Sequence, residues 1–176
     1  SILLLQLPFF AASQTGSDFV PQKPAYPRLL NDENAYAYYH KDWRRLEDKL
    51  INHQKRTGNQ LVIVTIPSLQ GNAIEAIALQ IFRSWGIGDK ETNTGLLVLI
   101  ARKEKQIKIE TGYGLEGQVT DLASGNIIRN ILEPGLAEYD FQLPPARKDK
   151  GYLPALERTI DTLISLKGEV SKKAIH

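Results

Sequence analysis

The chain contains no cysteine and only three histidines, at positions 40, 53 and 176. The absence of cysteine excludes disulfide bridges, thiolate metal centres, iron–sulfur clusters and cysteine nucleophiles. A zinc site of three histidines is also disfavoured, because one of the three is the last residue. Any metal site is therefore expected to use mainly oxygen ligands, which favours calcium, magnesium or manganese.

The chain also has little net charge, since 22 Lys and Arg residues face 20 Asp and Glu residues. The resulting charge of +2 gives no indication of a nucleic-acid partner. Of the 176 residues, 42% are hydrophobic and 24% are charged, which is typical of a packed domain and excludes disordered, collagen-like and multi-span membrane proteins. The length fits one globular domain with some chain left over.

Both chain ends are expected to lie outside the packed domain. The apolar run at residues 2–10 is shorter than the roughly 20 residues that cross a bilayer. Small residues follow it, so it is interpreted as the remnant of a secretory signal peptide, with a buried N-terminal strand as the alternative. We predict a signal remnant and linker at 1–19, a domain at 20–167 and a frayed tail at 168–176. A membrane anchor outside this chain stays an open alternative.

Hydrophobic periodicity predicts alternating helices and strands. Helices are expected over 34–54, 74–85, 121–132 and 153–166, the third ending at the Glu-Pro-Gly sequence of residues 133–135. Continuous apolar runs predict strands buried on both faces at 60–66 and 95–101. The alternating segment 106–111 predicts a half-exposed strand that forms a hairpin with the preceding one. The fold class that follows is α/β.

The order of these elements brings two glycine-rich loops together. A strand–helix–strand unit over 60–101 makes its two strands parallel, with a right-handed crossover. The antiparallel hairpin strand then ends at the edge where the strand at 95 begins. The loops 86–94 and 112–120 are therefore expected to lie side by side.

These loops and the hairpin strand carry the polar residues that a hard cation prefers. The candidate metal ligands are Asp89, Asn93, Glu110, Glu116 and Asp121. Each of three acids has a simpler explanation, because Asp121 can cap a helix, Asp89 can cap a turn and Glu110 can be a solvated strand residue. Glu116 has no evident local role and is the strongest candidate of the set.

No catalytic motif is present. The chain lacks a GxSxG nucleophile elbow, a phosphate-binding GxxxxGK[ST] loop and an HExxH zinc motif. The sequence GYGLEG at 112–117 follows an antiparallel strand and so is not a dinucleotide site. Basic residues at the hairpin tip, Arg102, Lys103, Lys105 and Lys108, are interpreted as a solvated edge that discourages edge-to-edge pairing. Catalytic residues therefore stay unassigned.

Three sequence blocks resemble the TPM domain family. They are WGIG at 85–88, NTGLLVLIA at 93–101 and IETGYGLEG at 109–117, with Asp121 four positions on. The segments LND at 30–32 and TGNQLVIVT at 57–65 fit the same pattern, so the resemblance covers roughly residues 20–167. It implies a three-layer α/β/α sandwich with a Rossmann-like mixed sheet. It also implies an extracytoplasmic location, periplasmic, secreted or membrane-tethered.

The same resemblance implies several functions rather than one reaction. Plant members are linked to photosystem II repair and to an acid phosphatase activity, some members bind calcium through acidic loops, and an animal member modulates a receptor. This chain departs from the family where Glu104 replaces a frequent Asp and where residues 136–146 look like an insertion.

Three hypotheses follow from the residues and the resemblance together. The chain is a calcium-binding module that contacts another envelope or membrane protein, a metal-dependent acid phosphatase, or a structural domain without a metal site.

Overall fold

The fold is built on one four-stranded mixed sheet. The computed structural model describes residues 20, 21, 23, 29–31, 41–137 and 152–168. The strands are β1 (Leu29–Asn31), β2 (Gln60–Ile66), β3 (Gly95–Ala101) and β4 (Gln106–Thr111), arranged in the order β1-β2-β3-β4. β1, β2 and β3 are parallel, and β4 is antiparallel to β3 at the sheet edge.

Helices cover both faces of this sheet. They are α1 (Lys41–Thr57), α2 (Ile74–Trp85), α3 (Asp121–Ile127), α4 (Glu133–Ala137) and α5 (Tyr152–Gly168). One core packs α1, α5 and the 115–136 region against one face, and a second core packs α2 against the other. The alternation of β2 explains this division, because Leu61 and Ile63 enter the first core whereas Val62 and Val64 enter the second. The predicted α/β/α sandwich is confirmed.

Most predicted elements are observed at their predicted positions. α2, β2, β3 and β4 have the predicted bounds, and α5 extends the predicted 153–166 helix at both ends. Within the described residues α1 begins at Lys41, and the earlier part of the predicted helix, 34–40, lies outside them. The three-residue strand β1 was not predicted. Within β1, Asn31 pairs with Thr65 of β2.

The predicted end of the third helix is wrong. After α3 the chain makes a π-helical turn at Ile128–Leu132 and continues as α4 through Pro134. Pro134, which has no N–H to donate, follows directly on this π-helical turn. Leu132 and Leu136 are buried in the first core, so packing keeps the chain helical past the Glu-Pro-Gly sequence.

The two crossovers of the parallel strands have opposite hands. β1 connects to β2 through α1, and β2 connects to β3 through α2, each step moving in the same direction along the sheet. α1 and α2 nevertheless lie on opposite faces. One of the two connections is therefore left-handed, which is rare among parallel strands.

Trp85 closes the second core at the end of α2. Its side chain is only 5% exposed. The indole N–H donates to the Pro21 carbonyl at 2.9 Å, and the Lys23 ammonium donates to the Trp85 carbonyl. Val20 also packs on this core. Val20, Pro21 and Lys23 are thus in contact with the rest of the domain.

Candidate binding groove at the acidic edge

The two glycine-rich loops meet at the edge where β2 and β3 begin. The Gln60 amide donates to Thr94, and the Gly112 amide donates to Gly95 at 2.8 Å. The Gly114 amide donates to the Asn93 carbonyl at 3.2 Å. The loops 86–94 and 112–120 are therefore bonded to each other, which confirms the predicted juxtaposition.

Gly112 and Gly114 permit this close approach. A Cβ at Gly112 would overlap the Asn93 carbonyl, and a Cβ at Gly114 would overlap the Thr92 carbonyl. Asn93 adopts a left-handed conformation with φ of 52°, which Asn tolerates better than most residues. In this conformation the Asn93 carbonyl faces the second loop, where it accepts the hydrogen bond from the Gly114 amide. Asn93, a predicted metal ligand, therefore has an observed structural role through its main chain.

Asp89 stabilises its own loop. Its Oδ1 atom accepts hydrogen bonds from the backbone amides of Glu91 and Thr92, at 2.9 and 2.8 Å, and from the Thr92 hydroxyl at 3.0 Å. The backbone and hydroxyl hydrogen bonds from Thr92, followed by the Glu91 amide, lower the pKa of the Asp89 carboxyl. This arrangement is the turn cap that the sequence analysis gave as the simpler explanation.

The three remaining candidate acids line one groove. It runs along the outer side of β4 and has a volume of about 400 Å³. Its lining consists of Lys108, Ile109, Glu110, Thr111, Glu116, Val119, Thr120 and Asp121. The ammonium of Lys108 lies 3.9 Å from Glu110 Oε2, and both side chains are partly exposed. With three acids and one lysine, the groove lining carries a net negative charge.

The helix that borders the groove is capped by Thr120 rather than by Asp121. The Thr120 hydroxyl accepts from the Ala123 amide at 3.2 Å, so the predicted capping role of Asp121 is wrong. Asp121 instead stands exposed in the first turn, where its charge interacts favourably with the helix dipole. The structure thus leaves Glu116 and Asp121 as exposed acids on the groove wall.

The groove acids do not form a closed metal cage. Among the residues that the structure describes, no three Asp, Glu or His side chains are placed to hold one ion together. Asp89 and Asn93 do not line the groove. The five predicted ligands are therefore split between a loop-stabilising pair and a groove-lining trio.

Two large apolar side chains stand in solvent beside the groove. Tyr113, which follows β4, is 81% exposed, and Leu122, next to Asp121, is 72% exposed. Sequence reasoning did not single out either residue. Only their positions in the sequence could have pointed to them, because Tyr113 lies between Gly112 and Gly114 and Leu122 follows the candidate ligand Asp121.

A family model for the TPM domain matches residues 40–143 of the chain. The chain belongs to the TPM domain family. The match covers the region from α1 to beyond α4, including both bonded loops. It confirms the resemblance on which the α/β/α expectation depends.

Solved structures share the fold of this TPM domain. The N-terminal domain of a Porphyromonas gingivalis protein superposes with a TM-score of 0.64 at 20% identity, over 82% of this chain and 83% of that one. The BA42 protein of the psychrophilic bacterium Bizionia argentinensis gives 0.57 at 12% identity, over 73% and 80%. The N-terminal domain of the cg2496 protein of Corynebacterium glutamicum gives 0.53 at 13% identity, over 83% and 84%. A search of curated proteins finds no match.

The opposite edge of the TPM domain carries a separate polar pair. Ser68 donates to Glu104 Oε1 at 2.7 Å. Desolvation raises the pKa of the Glu104 carboxyl, but the hydrogen bonds from Ser68 and the Leu69 amide outweigh it and lower the pKa overall. This pair lies in the loops after β2 and β3, away from the groove.

The three histidines and the possibility of a membrane-spanning helix remain to be considered. His53 is buried at 2% exposure in α1, whereas His40 and His176 lie outside the described residues. No helix in the described part of the chain meets the length and hydropathy needed to cross a bilayer.

Proposed function

We propose that this TPM domain is an extracytoplasmic binding module whose binding surface is the acidic groove along β4. The groove itself carries the proposal, because it gathers Glu110, Glu116 and Asp121 on one open surface. Tyr113 and Leu122 add exposed apolar area beside these charges. Exposed apolar area with polar residues around it is typical of protein-interaction surfaces. The proposed partner is another envelope or membrane protein.

The proposed location rests on the chain's N-terminal sequence. The apolar run at residues 2–10, followed by small residues, supports passage through a secretory route. These residues lie outside the described part of the structure. In cells carrying the full gene, the protein is expected to be digested by protease added outside the cytoplasmic membrane. Protection until that membrane is broken would contradict an extracytoplasmic location.

A divalent cation is the proposed small ligand of the groove, with calcium as the first choice. Glu116 and Asp121, the two exposed acids of the groove wall, are the residues that would hold it, by carboxylate oxygens that calcium prefers. Because they form no closed cage, water would have to supply the remaining ligands. We therefore expect weak binding, as in calcium sites of low charge and low rigidity.

Calcium binding is tested by titration calorimetry together with thermal unfolding. Glu116→Gln is expected to abolish the heat of binding and the rise in melting temperature, because it removes one groove carboxylate while keeping the side-chain shape. Glu91→Gln is the matched control, since Glu91 is exposed at the same edge but lies outside the groove. A wild-type protein with neither heat nor thermal shift at millimolar calcium would remove the cation from the proposal.

The protein-binding part is tested by photo-crosslinking in cells. A photoreactive phenylalanine analogue at position 113 is expected to capture a partner, because Tyr113 protrudes beside the groove. The same analogue at Leu79 on α2 is the control, since that residue is partly exposed on another surface. Equal crosslinking from both positions would contradict a partner specific to the groove.

Acid phosphatase activity is the second candidate, supported only by the family resemblance. The groove lining contains no serine, histidine or cysteine, so the nucleophile would have to be a carboxylate or a metal-bound water. The second of these routes depends on the proposed cation. Release of phosphate from an aryl phosphate that requires added calcium or magnesium and is lost in Glu116→Gln would favour this candidate over a binding module.

A further inference from the structure

The hydrogen-bond pattern of β3 determines which main-chain groups of β4 face outward. The Arg102 amide donates to Ile66, and the Thr94 carbonyl accepts from Gln60, so even-numbered residues of β3 bond to β2. The Gly112 amide donates to Gly95, so odd-numbered residues of β3 bond to β4. With the observed register, these bonds engage positions 106, 108, 110 and 112 of the hairpin strand.

Three residues of β4 therefore point their main-chain groups away from the sheet. They are Ile107, Ile109 and Thr111, which alternate with the bonded positions. β4 has no neighbouring strand on this side in the described sheet. The groove lies along residues 108–111, so this strand edge borders open space. Such an edge is a template for an additional strand.

The charges along this edge run from basic to acidic. Lys103 and Lys105 are exposed at the hairpin tip, before β4 begins. Glu116 and Asp121 are exposed beyond its other end. An antiparallel copy of the same edge would place each basic end beside an acidic end, whereas a parallel copy would place like charges together.

The register that matches charges within the strand is centred on Ile109. A two-fold axis at Ile109 pairs the outward groups of Ile107 with those of Thr111 in the second copy, which closes a regular ladder. It also places Lys108 directly opposite Glu110 of that copy, at a non-hydrogen-bonded pair where side chains are closest. An axis at Lys108 would oppose two lysines, and an axis at Glu110 would oppose two glutamates.

We propose that a second copy of this chain pairs antiparallel with β4, with Lys108 of each copy opposite Glu110 of the other. The two sheets then form one continuous sheet through an isologous interface. This inference rests on the proposed function in one respect, that the groove along β4 is a binding surface. In this dimer, Lys108 attracts the second copy through its Glu110. This role differs from the predicted one, in which the basic residues of the hairpin discourage edge-to-edge pairing.

Charge exchange tests the register directly. Sedimentation of the whole protein, from micromolar to millimolar concentration, is expected to show a monomer–dimer equilibrium. Lys108→Glu and Glu110→Lys should each weaken dimerisation about tenfold or more, because two attractive cross-strand pairs become repulsive. The double variant should restore the dimer. An equimolar mixture of the two single variants should form a heterodimer, since all four charges are again matched.

Two further variants separate charge from main-chain pairing. Thr111→Pro removes an outward N–H that makes no bond to β3, so it should leave the fold intact and abolish the dimer. Glu91→Lys changes an exposed charge outside the edge and should leave dimerisation unchanged. Circular dichroism checks that each variant folds.

Several results would overturn the pairing. They are a monomer at every concentration, single variants that dimerise like wild type, or a mixture that fails to associate. The crosslinked product from position 113 tells the two proposals apart by its mass. Twice the mass of this chain reports the dimer, whereas a product with a different protein reports the partner of the proposed function.

Discussion

At the scale of single residues, the acidic edge is organised by main-chain contacts more than by its carboxylates. The Asn93 carbonyl accepts the Gly114 amide, and the glycines at 112 and 114 leave room for the neighbouring loop. The Oδ1 atom of Asp89 already accepts three hydrogen bonds from its own turn. The position of Glu116 therefore depends on a hydrogen-bonded frame built by residues without charge.

A methyl group at Gly114 should separate the two loops. Gly114→Ala directs a Cβ into the Thr92 carbonyl, a backbone atom that cannot rotate away. We expect a loss of about 1–3 kcal/mol in the free energy of unfolding, the range for overpacking, measured by urea denaturation. Gly117→Ala is the matched control, because a Cβ there meets no atom within 4 Å. Equal stability of the two variants would contradict the tight contact.

The candidate site was only partly predictable from the sequence, for reasons visible at single residues. Connection rules placed the two loops together, because strand direction alone determines which loops share an edge. Local capping rules separated Asp89, as a turn cap, from Glu116, which has no local role, and the structure agrees. The same rules predicted Asp121 as the helix cap, whereas Thr120 caps α3, because Asp and Thr are both good capping residues.

At the scale of elements, α1 and α5 are joined by an ionic cluster. Glu157 accepts hydrogen bonds from the guanidinium of Arg45 and, at 3.1 Å, from the ammonium of Lys49. Lys49 also donates to Asp161 at 2.8 Å, and this bond is the main cause that raises the pKa of Lys49. The hydrogen bonds from Arg45, then from Lys49, lower the pKa of Glu157 to about 2.

Acid should weaken the α1–α5 contact. Because the folded-state pKa of Glu157 lies below its ordinary value of 4.5, its contribution to stability is present above that value and is lost as the pH falls toward about 2. We expect Glu157→Gln to lower the free energy of unfolding at pH 7 by about 1 kcal/mol, since partly exposed ion pairs are screened by solvent.

Denaturation at a series of pH values measures this contribution. The difference between Glu157→Gln and wild type should shrink between pH 4.5 and about 2. Glu91→Gln, an exposed acid outside the cluster, should behave like wild type throughout this range. A difference for Glu157→Gln that does not depend on pH would mean that the ion pair is not its cause.

Helices and strands were predicted correctly where the hydrophobic pattern is long. The prediction failed where the pattern is short or where tertiary packing overrides local propensity. β2, β3 and α2 contain continuous or periodic apolar residues, and their bounds were predicted. β1 has three residues, too few to show a period. The turn at Ile128–Leu132 was not predicted because Glu-Pro-Gly is a local stop signal, whereas burial of Leu132 and Leu136 keeps the chain helical past it, which local propensity does not reveal.

At the scale of the whole molecule, the N-terminal segment forms part of the second core. Val20, Pro21 and Lys23 contact the region around Trp85, next to the loop that leads to the acidic edge. The predicted domain boundary at residue 20 stays a prediction, and these contacts give it a physical basis. Residues before 20 lie outside the described part of the structure.

Two truncations test this boundary. Removing residues 1–19 is expected to leave the melting temperature nearly unchanged. Removing residues 1–23 should destabilise the fold by about 1–3 kcal/mol, because the Trp85 indole and carbonyl each lose a hydrogen bond. Differential scanning calorimetry of the two products gives the comparison. A large loss already in the first truncation would favour the alternative of a buried N-terminal strand.

The long sequence separation between α1 and α5 has a consequence for how the chain folds. Arg45 and Glu157 are 112 positions apart, whereas β3 and β4 are joined by a four-residue turn. Local contacts close at a lower entropic cost and form early, so the hairpin is expected in the folding transition state and the docking of α5 after it. Glu157→Gln should then accelerate unfolding and leave the folding rate almost unchanged, a kinetic signature that stopped-flow chevron plots resolve.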